Sequence, residues 1–380
     1  MSPAGFHQFV IGTPVFAAVA LLSFIGSYVA LCAFRPAAIV VRLLDRAGEL
    51  KHHEGEVPLV GGLAILAGYL VALVIHPVFF EPNKPFLIAS FLLVISGTLD
   101  DRFLLHPLFR LAVQIVVALT AVFGAGTVVY TIGAPFFTGV IELGWLAIPF
   151  SILVFVGGIN AWNMIDGIDG LASVLAFIAL SFMLAVAGPS APALQASLLA
   201  LLCGIGAFFL FNLPFHGLRR HRTFLGDAGS MFLGLAIVWH ALALSQGPTA
   251  VISPATALWF VALPVYDVLT TTMRRVLKGR SPLAGDRQHL HHLLQDHGLS
   301  IRQTLMVLGT LALAGGAIGL SAHIAGLSDG SMFVLFALLG AAYFLRVRRL
   351  AKSIPESNST SEINVAPDTR ATSDTNAEAA

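Results

Sequence analysis

WLAIPFSILVFVGGINAWNMIDGIDG (145–170) is an apolar run that ends abruptly in amide and carboxylate side chains. Its first part, residues 145–162, predicts a helix that crosses a lipid bilayer, because about 20 apolar residues span roughly 30 Å of hydrocarbon. The polar groups at its end must face protein, water or a ligand rather than lipid. The stretch therefore predicts a membrane protein whose chemistry lies at the ends of its helices.

The composition of the whole chain agrees with this prediction. The chain has 380 residues, of which 57% are hydrophobic and 11% charged, and its mean hydropathy is +0.86. Soluble domains contain about 25% charged residues, so a soluble globular protein is excluded. We predict an all-α polytopic integral membrane protein. Its eleven predicted spans are 9–33, 58–80, 85–99, 107–129, 145–162, 171–187, 194–213, 230–246, 254–272, 304–326 and 331–347.

The positions of Lys and Arg predict the orientation. With the N-terminus outside, all of the 21 basic residues except Lys84 fall on inner segments, whereas ten spans would break this asymmetry. Residues 1–352 are predicted to form a single catalytic transmembrane domain, and residues 353–380, which lack apolar periodicity, a disordered cytoplasmic tail. Short Pro/Gly turns are expected on the outer side at 81–84, 188–193 and 247–253.

Five motifs fall on the inner loops, and no outer loop carries anything comparable. They are PLVGG (58–62), GTLDDR (97–102), NAWNMIDGIDG (160–170), FLGDAGS (224–230) and DRQHLHH (286–292). Carboxylates that converge at a bilayer surface need solvent, a cation or a raised pKa. The arrangement predicts a site for a metal ion and phosphate groups.

The paired aspartates Asp100 and Asp101 end the third predicted span. Adjacent residues on a helix point about 100° apart, so the two carboxylates are not expected to chelate one ion together. We expect one carboxylate to face the site and the other to be held by Arg102 or a neighbouring loop. The alternative is an ordinary solvated helix end.

The motif at 160–170 places polar residues at intervals of three, which on a helical end gives one polar stripe. The glycines after its two aspartates let the backbone turn and approach a ligand closely. The alternative is a Gly-rich turn between helices. The residues of the stripe are Asn160, Asn163, Asp166 and Asp169.

Asp227 directly precedes the eighth predicted span, with Ser230 as its expected N-cap. The free amides at the positive end of this helix could hold a phosphate while Asp227 holds a divalent cation. The alternative is a simple helix cap.

The histidine segment contains Arg287, His289, His291 and His292. Zinc is not favoured, because no Cys and no His-Glu-x-x-His spacing accompanies the histidines. Histidines beside arginines are suited to donating hydrogen bonds to a diphosphate, and the alternative is a solvated loop.

Asp267 lies inside the ninth predicted span, near its inner end. We expect it to pair with Arg274 or Arg275.

An ion-coupled transporter is an alternative function for the chain, but it predicts polar groups at mid-membrane depth, and here nearly all acids lie at one surface.

The combination of DD, NxxNxxDGxDGLA, FxGDxGS and HxHH resembles the polyprenyl-phosphate N-acetylhexosamine-1-phosphate transferases, and most closely their WecA-type branch. The resemblance covers residues 35 to about 305. It implies an enzyme of the bacterial cytoplasmic (inner) membrane with its active site on the cytoplasmic face. Such an enzyme transfers GlcNAc-1-phosphate, or another N-acetylhexosamine-1-phosphate, from a UDP-sugar to undecaprenyl phosphate, releasing UMP, as the first membrane step of cell-envelope polysaccharide synthesis.

The resemblance also implies roles for individual residues. Asp100 and Asp101 match the catalytic pair that activates the lipid phosphate, and Asp227 matches the aspartate that binds Mg²⁺, with Mn²⁺ as a substitute. The implied substrate-binding residues are Asn163, Asp166, Asp169 and Asn212 in the nucleotide-sugar pocket, Phe224 stacking on uracil, and Arg287, His289, His291 and His292 on the diphosphate and sugar.

The implied partners are a UDP-N-acetylhexosamine and a polyprenyl phosphate lipid; a homodimer is compatible with the resemblance, and no nucleic acid is expected. The muramoyl-pentapeptide branch carries three consecutive histidines, whereas Leu290 interrupts them here. This difference favours a simple N-acetylhexosamine donor, with the muramoyl-pentapeptide-phosphate transferase as the alternative within the superfamily. Direct attack by the lipid phosphate and a covalent phosphosugar on an aspartate both stay open.

Overall fold

The structure is a computed structural model that describes residues 13–46, 56–136, 139–213, 222–248, 250–277, 279 and 289–353. Almost all of its regular structure is helical. The α-helices are α1 (Thr13–Val41), α2 (Gly61–Val74), α3 (Pro77–Phe103), α4 (Pro107–Leu119), α5 (Ala147–Ile165), α6 (Leu171–Val186), α7 (Pro192–Asn212), α8 (Gly226–Ser245), α9 (Pro254–Phe260), α10 (Ala262–Leu277), α11 (Leu290–Asp296), α12 (Ile301–Ile324) and α13 (Asp329–Lys352). A π-helical turn, Thr120–Gly124, extends α4, and a 3₁₀ turn, Gly144–Leu146, precedes α5.

Within these described ranges, eight helices are long and apolar enough to cross a membrane: α1, α3, α4 with its π-helical turn, α5 with its 3₁₀ turn, α7, α8, α12 and α13. Helices α9 and α10 together form a ninth candidate, which is bent by 82°. The two remaining apolar helices, α2 and α6, are shorter, at 14 and 16 residues. The chain is therefore an all-α, multi-pass membrane protein. Every predicted span overlaps one of these helices or the bent pair, while the number of crossings and the orientation stay predictions.

The predicted outer turn at 81–84 is wrong. These residues lie inside α3, whose first residue is Pro77. The chain turns earlier because His76 accepts the Val78 amide through Nδ1 at 3.2 Å, and proline is well tolerated at the first position of a helix. Glu81 and Lys84 form an ion pair one turn apart on this helix.

A short β-structure that the sequence did not predict joins two of the motifs. Strands β1 (Leu44–Arg46) and β2 (Glu56–Pro58) are antiparallel. Directly after β2, the Phe224 amide donates to the Pro58 carbonyl at 2.9 Å and the Gly61 amide donates to the Phe224 carbonyl at 3.0 Å. These bonds fix the beginning of α8 against the beginning of α2.

Helix α8 lies at the centre of the bundle and packs on α2, α3, α5, α6 and α9. It is apolar on nearly all sides, as expected for a helix surrounded by others. Small residues permit the closest contacts: a Cβ added at Gly62 would collide with the Gly229 backbone, and a Cβ added at Gly97 would collide with Ala228. The aspartate at the start of α8 is therefore held close to the ends of α2 and α3.

Candidate active site

The paired aspartates of α3 meet the beginning of α8. Asp101 accepts the backbone amides of Asp227 at 2.9 Å and of Ala228 at 3.3 Å. Gly226 allows this approach, since its φ is +74° and an added Cβ would lie 2.6 Å from Asp101 Oδ2. Asp101 therefore caps α8 from another helix, where its negative charge is favoured by the helix dipole.

The structure changes two expectations about this helix start. Two of its first amides are already taken, because the Asp101 carboxylate accepts those of Asp227 and Ala228. Ser230 is not the N-cap: the capping position is Leu225, and Ser230 lies inside the helix. The local pattern of Asp and Ser near a helix start did not reveal a cap supplied by a residue more than a hundred positions away.

Asp100 faces a different set of partners. Its Oδ1 accepts the Leu105 amide at 2.7 Å, and its Oδ2 accepts Nη1 of Arg110 at 2.8 Å. The same Nη1 lies 3.4 Å from Asp227 Oδ2, so one guanidinium bridges two carboxylates. Of the two expected partners, the neighbouring loop is confirmed by the Leu105 amide, whereas Arg102 instead donates to the Val41 carbonyl at 2.8 Å. Arg110, in the first turn of the next helix, was missed as a site residue.

The second oxygen of Asp227 is held by an asparagine. Asn163 Nδ2 donates to Asp227 Oδ1 at 3.0 Å and to Ser230 Oγ at 3.0 Å. Asn160 lies one turn earlier on α5 and pairs with the buried amide of Gln114, at 2.6 Å from its Nδ2 to Gln114 Oε1. Only Asn163 of these two asparagines contacts the carboxylates.

The predicted polar stripe is helical only as far as Asn163. Helix α5 ends at Ile165, Asp166 is its C-cap with φ −76° and ψ 55°, and Asp169 lies in the following turn. Gly170, directly after Asp169, is the N-cap of α6, and its φ of +79° lies in the left-handed region that favours glycine. The chain therefore turns between the two aspartates and separates them.

Asp166 lies among like charges. Burial raises the pKa of its carboxyl group, and the nearby Asp227 and Asp101 raise it further, to about 8. Carboxyl groups are therefore crowded where α3 and α5 end and α8 begins, and a cation bound there would stabilise their ionised forms.

A divalent cation fits this donor set in one specific way. In the described part of the chain, no group of three or more His, Cys, Asp or Glu side chains is arranged to hold a metal without further ligands. Mg²⁺ commonly binds through one or two carboxylates and completes its shell with substrate phosphates and water. Asp227, oriented by Asn163, suits a metal that is bound together with a diphosphate.

A second group lies next to the carboxylates. Asp169 forms an ion pair with Arg222, and the Arg222 guanidinium lies over the ring of Phe224, at 5.0 Å from the ring centroid. Asn212 Nδ2 donates to the Thr223 carbonyl at 3.0 Å and so fixes the segment that carries both Arg222 and Phe224. Arg222, considered from sequence only as part of a basic loop, therefore contacts two of the residues assigned to the nucleotide pocket.

The histidine segment is connected to the motif at 160–170. His291 is buried, and a Cβ added at Gly167 would collide with its imidazole. The rings of His289 and His291 are stacked with centroids 5.8 Å apart, and His292 lies 4.1 Å from His291 by the same measure. Arg287 is outside the described residues.

The expected partners of Asp267 are wrong. It pairs with His289 and with Tyr343 of α13 rather than with Arg274 or Arg275. These contacts are non-local, so sequence distance along α10 was a poor guide to them.

The structure thus brings carboxylates, amides and histidines from separate motifs to one end of a helical membrane bundle. The family model described as glycosyl transferase family 4 matches residues 85–245, which include both paired aspartates and Asp227. Together with close relatives, this match defines the class of the protein: the chain belongs to this family and is a glycosyl-1-phosphate transferase.

Three relatives show how far the similarity extends. The chain is 34% identical over 330 residues, 86% of its own length and 90% of the relative's, to a protein of Yersinia pestis. It is 33% identical over 322 residues, 84% and 87% of the two lengths, to one of Escherichia coli strain K12. It is 31% identical over 332 residues, 87% and 92%, to one of Pasteurella multocida strain Pm70. Each relative is named undecaprenyl-phosphate alpha-N-acetylglucosaminyl 1-phosphate transferase.

Proposed function

We propose that the chain transfers GlcNAc-1-phosphate from UDP-GlcNAc to undecaprenyl phosphate and releases UMP. The observation that carries this proposal is the meeting of Asp101, Asp166 and Asp227, with Asn163 and Arg110 around them. Crowded carboxylates of this kind suit a reaction in which a cation must bring two anionic phosphates together. The names of the relatives supply the sugar and the lipid.

Mg²⁺, with Mn²⁺ as a substitute, is the proposed cofactor. Asp227 would hold it, since Asn163 orients its Oδ1 and its Oδ2 lies 3.4 Å from Arg110 Nη1. The bound ion would neutralise the diphosphate and the developing charge of the leaving group. Arg110 supplies a further positive charge at the same place, next to Asp100.

We infer direct attack rather than a phosphosugar carried on the aspartate pair. Asp100 accepts hydrogen bonds from Arg110 and the Leu105 amide, and Asp101 accepts them from two amides of α8. Both carboxylates are therefore already engaged by donors within the protein and are poorly placed to act as nucleophiles. A phosphate monoester is already anionic near pH 7 and needs little help from a base. An oxygen of the lipid phosphate then attacks the sugar-bearing phosphorus, and the bond from this phosphorus to the bridging oxygen breaks as UMP leaves.

The active site is proposed to face the cytoplasm, where the positive-inside rule places the basic segments of the chain. Arg110 and Arg222, both in the site, belong to those segments. The protein would thus meet a water-soluble nucleotide sugar on the side where its basic residues lie, while its lipid substrate stays in the bilayer.

The test is an assay of the purified protein in detergent or lipid nanodiscs with undecaprenyl phosphate and Mg²⁺. We expect UMP and a lipid-linked sugar from UDP-GlcNAc, less product from UDP-GalNAc and UDP-MurNAc-pentapeptide, and none with EDTA. Omitting the lipid should abolish UMP release without a burst equal to the enzyme concentration, which a covalent phosphosugar would produce. A protein that forms no UMP from UDP-GlcNAc, or prefers another of these donors, would overturn the proposal.

A further inference from the structure

A buried carboxylate outside the group formed by Asp100, Asp101, Asp166 and Asp227 joins three separate elements. Asp267, in α10, is 3% exposed. Its Oδ2 accepts Nδ1–H of His289 at 2.7 Å, and its Oδ1 accepts the Leu290 amide at 2.9 Å and the Tyr343 hydroxyl at 3.1 Å. Three donors are therefore directed at one carboxylate, and both of its oxygens are occupied as acceptors.

These bonds determine where the histidine segment lies. His289 and Leu290 are the capping and first residues of α11, so Asp267 fixes both the side chain and the backbone at the start of this short helix. The next residue of α11, His291, lies against Gly167 in the turn that follows Asp166. By fixing the start of α11, Asp267 therefore also determines where His291 lies beside the turn that follows Asp166.

His289 itself is suited to holding the segment. It is 4% exposed, and its Nδ1 is occupied by Asp267. A carboxylate at one ring nitrogen of a histidine fixes the tautomer and the orientation of the ring. The end of α13 makes a second contact with the same segment, because His297 Nε2 lies 2.9 Å from Oγ of Ser353, the C-cap of α13.

We propose that Asp267, supported by Tyr343, is a positioning residue that holds the histidine segment in register with the Gly167 turn, and that His289 is its anchor rather than a ligand of the substrate. His291 and His292 then carry the contact with the sugar diphosphate. The inference rests on the proposed function for its substrate, but the anchoring itself does not depend on turnover.

The main test compares Asp267→Asn, His289→Asn and the double variant. An Asn side chain offers one acceptor atom where the carboxylate offers two, so one of the donors on Asp267 loses its partner. We expect kcat/KM for UDP-GlcNAc to fall by about 10- to 100-fold, mostly through KM, the range typical for loss of an outer group that orients a functional site. KM for undecaprenyl phosphate should change less than twofold.

The double variant distinguishes an effect through His289 from general damage. If Asp267 acts through His289, the double variant should be no worse than the more impaired single variant. Effects that multiply, or equal increases in KM for both substrates, would overturn the proposal. Tyr343→Phe, which removes one hydroxyl, should shift the same KM in the same direction by a smaller factor and covers the case in which Asp267→Asn does not fold.

Hydrogen exchange tests the anchor without any substrate. Amides of α11 (Leu290–Asp296) should exchange at least about tenfold faster in Asp267→Asn than in the wild type, because local opening no longer breaks the bonds to the carboxylate. Asp329→Asn is the control: this aspartate accepts the Ala134 amide at 3.3 Å, begins α13 at the end opposite to Ser353, and should leave α11 unchanged. Unchanged exchange in Asp267→Asn would contradict the anchoring role, whether or not the enzyme is active. Faster exchange in a protein that turns over no UDP-sugar would support the anchoring role and contradict the proposed function.

Discussion

At the scale of single residues, Asp227 differs from the other acids in the number of site groups it touches. Its two oxygens face Asn163 and Arg110, and its own backbone amide is held by Asp101. Its carboxylate is therefore oriented by an amide and a guanidinium, as a metal ligand requires.

Asp227→Asn keeps the size of the side chain and removes its charge. We expect UMP formation to fall by about 100-fold or more, the scale observed when a preorganised electrostatic contact to a transition state is lost. The assay is UMP release against Mg²⁺ concentration, with Asp329→Asn as a control for the substitution itself. An unchanged Mg²⁺ dependence would remove Asp227 from the metal site.

Asp166 gives a prediction about pH. Its pKa is raised from 3.8 to about 8 by burial and then by Asp227 and Asp101, so its charged form is disfavoured in the folded protein. The stability of the wild type should therefore decrease as pH rises from about 4 to about 8, relative to a variant that cannot ionise there. Below this window the acid is neutral in both the folded and the unfolded state.

The measurement is the thermal midpoint of Asp166→Asn and of the wild type in EDTA. The two midpoints should agree near pH 4, and the variant should melt higher at pH 9. Added Mg²⁺ should narrow the difference at pH 9, because a cation offsets the crowded charge. A difference that is the same at both pH values would contradict the assignment of the effect to this carboxyl group.

At the scale of elements, helix α8 determines the geometry of the site. It begins at Gly226, beside the aspartates, and its contacts with α2 and α3 are made through backbone and small side chains. Such contacts leave no flexible side chain that could absorb a displacement. A change at the α2–α8 contact should therefore reach Asp227.

Gly62→Ala tests this contact, since its new Cβ would collide with the Gly229 backbone. We expect a loss of about 1–3 kcal/mol of stability, the usual cost of overpacking, together with reduced activity. Gly157→Ala is the matched control in a helix, because an added Cβ there has no neighbour within 4 Å. Thermal midpoints that fall equally in the two variants would show that the α2–α8 contact is not special.

At the scale of the whole molecule, the prediction concerns the side of the membrane on which the motifs lie. Helices α3, α5 and α7 end at the site, while α8 begins there, so all four termini belong to one face of the bundle. The positive-inside rule assigns that face to the cytoplasm.

Accessibility of single cysteines to a membrane-impermeant thiol reagent can check this assignment, in a background with Cys32 and Cys203 replaced. Leu104→Cys, at an 88% exposed position between α3 and α4, and Ser353→Cys should be labelled only after the membrane is opened, whereas Ser190→Cys, between α6 and α7, should be labelled in intact cells. Labelling of the first two positions in intact cells would reverse the orientation.

A substantial part of this architecture is predictable from sequence. The apolar runs predict the helices, because burial of backbone polar groups in lipid leaves few alternatives to a helix. The motifs predict where the chemistry lies, since carboxylates such as Asp100 and Asp227 at helix ends cannot face hydrocarbon. The prolines at 82 and 85 misled the prediction of a turn, because a proline inside a helix usually kinks or breaks it, and here both lie inside α3.

The amino-acid sequence is enough to predict a helical membrane protein and the residue types of its site, because hydrophobicity and residue identity are local properties. The partners follow from the fold alone: Arg110 for Asp100, the α8 amides for Asp101, and His289 with Tyr343 for Asp267. Adjacent side chains on a helix point about 100° apart, so the rotation and packing of each helix select which neighbour each side chain meets. Those contacts depend on the whole bundle and are not encoded in any one motif.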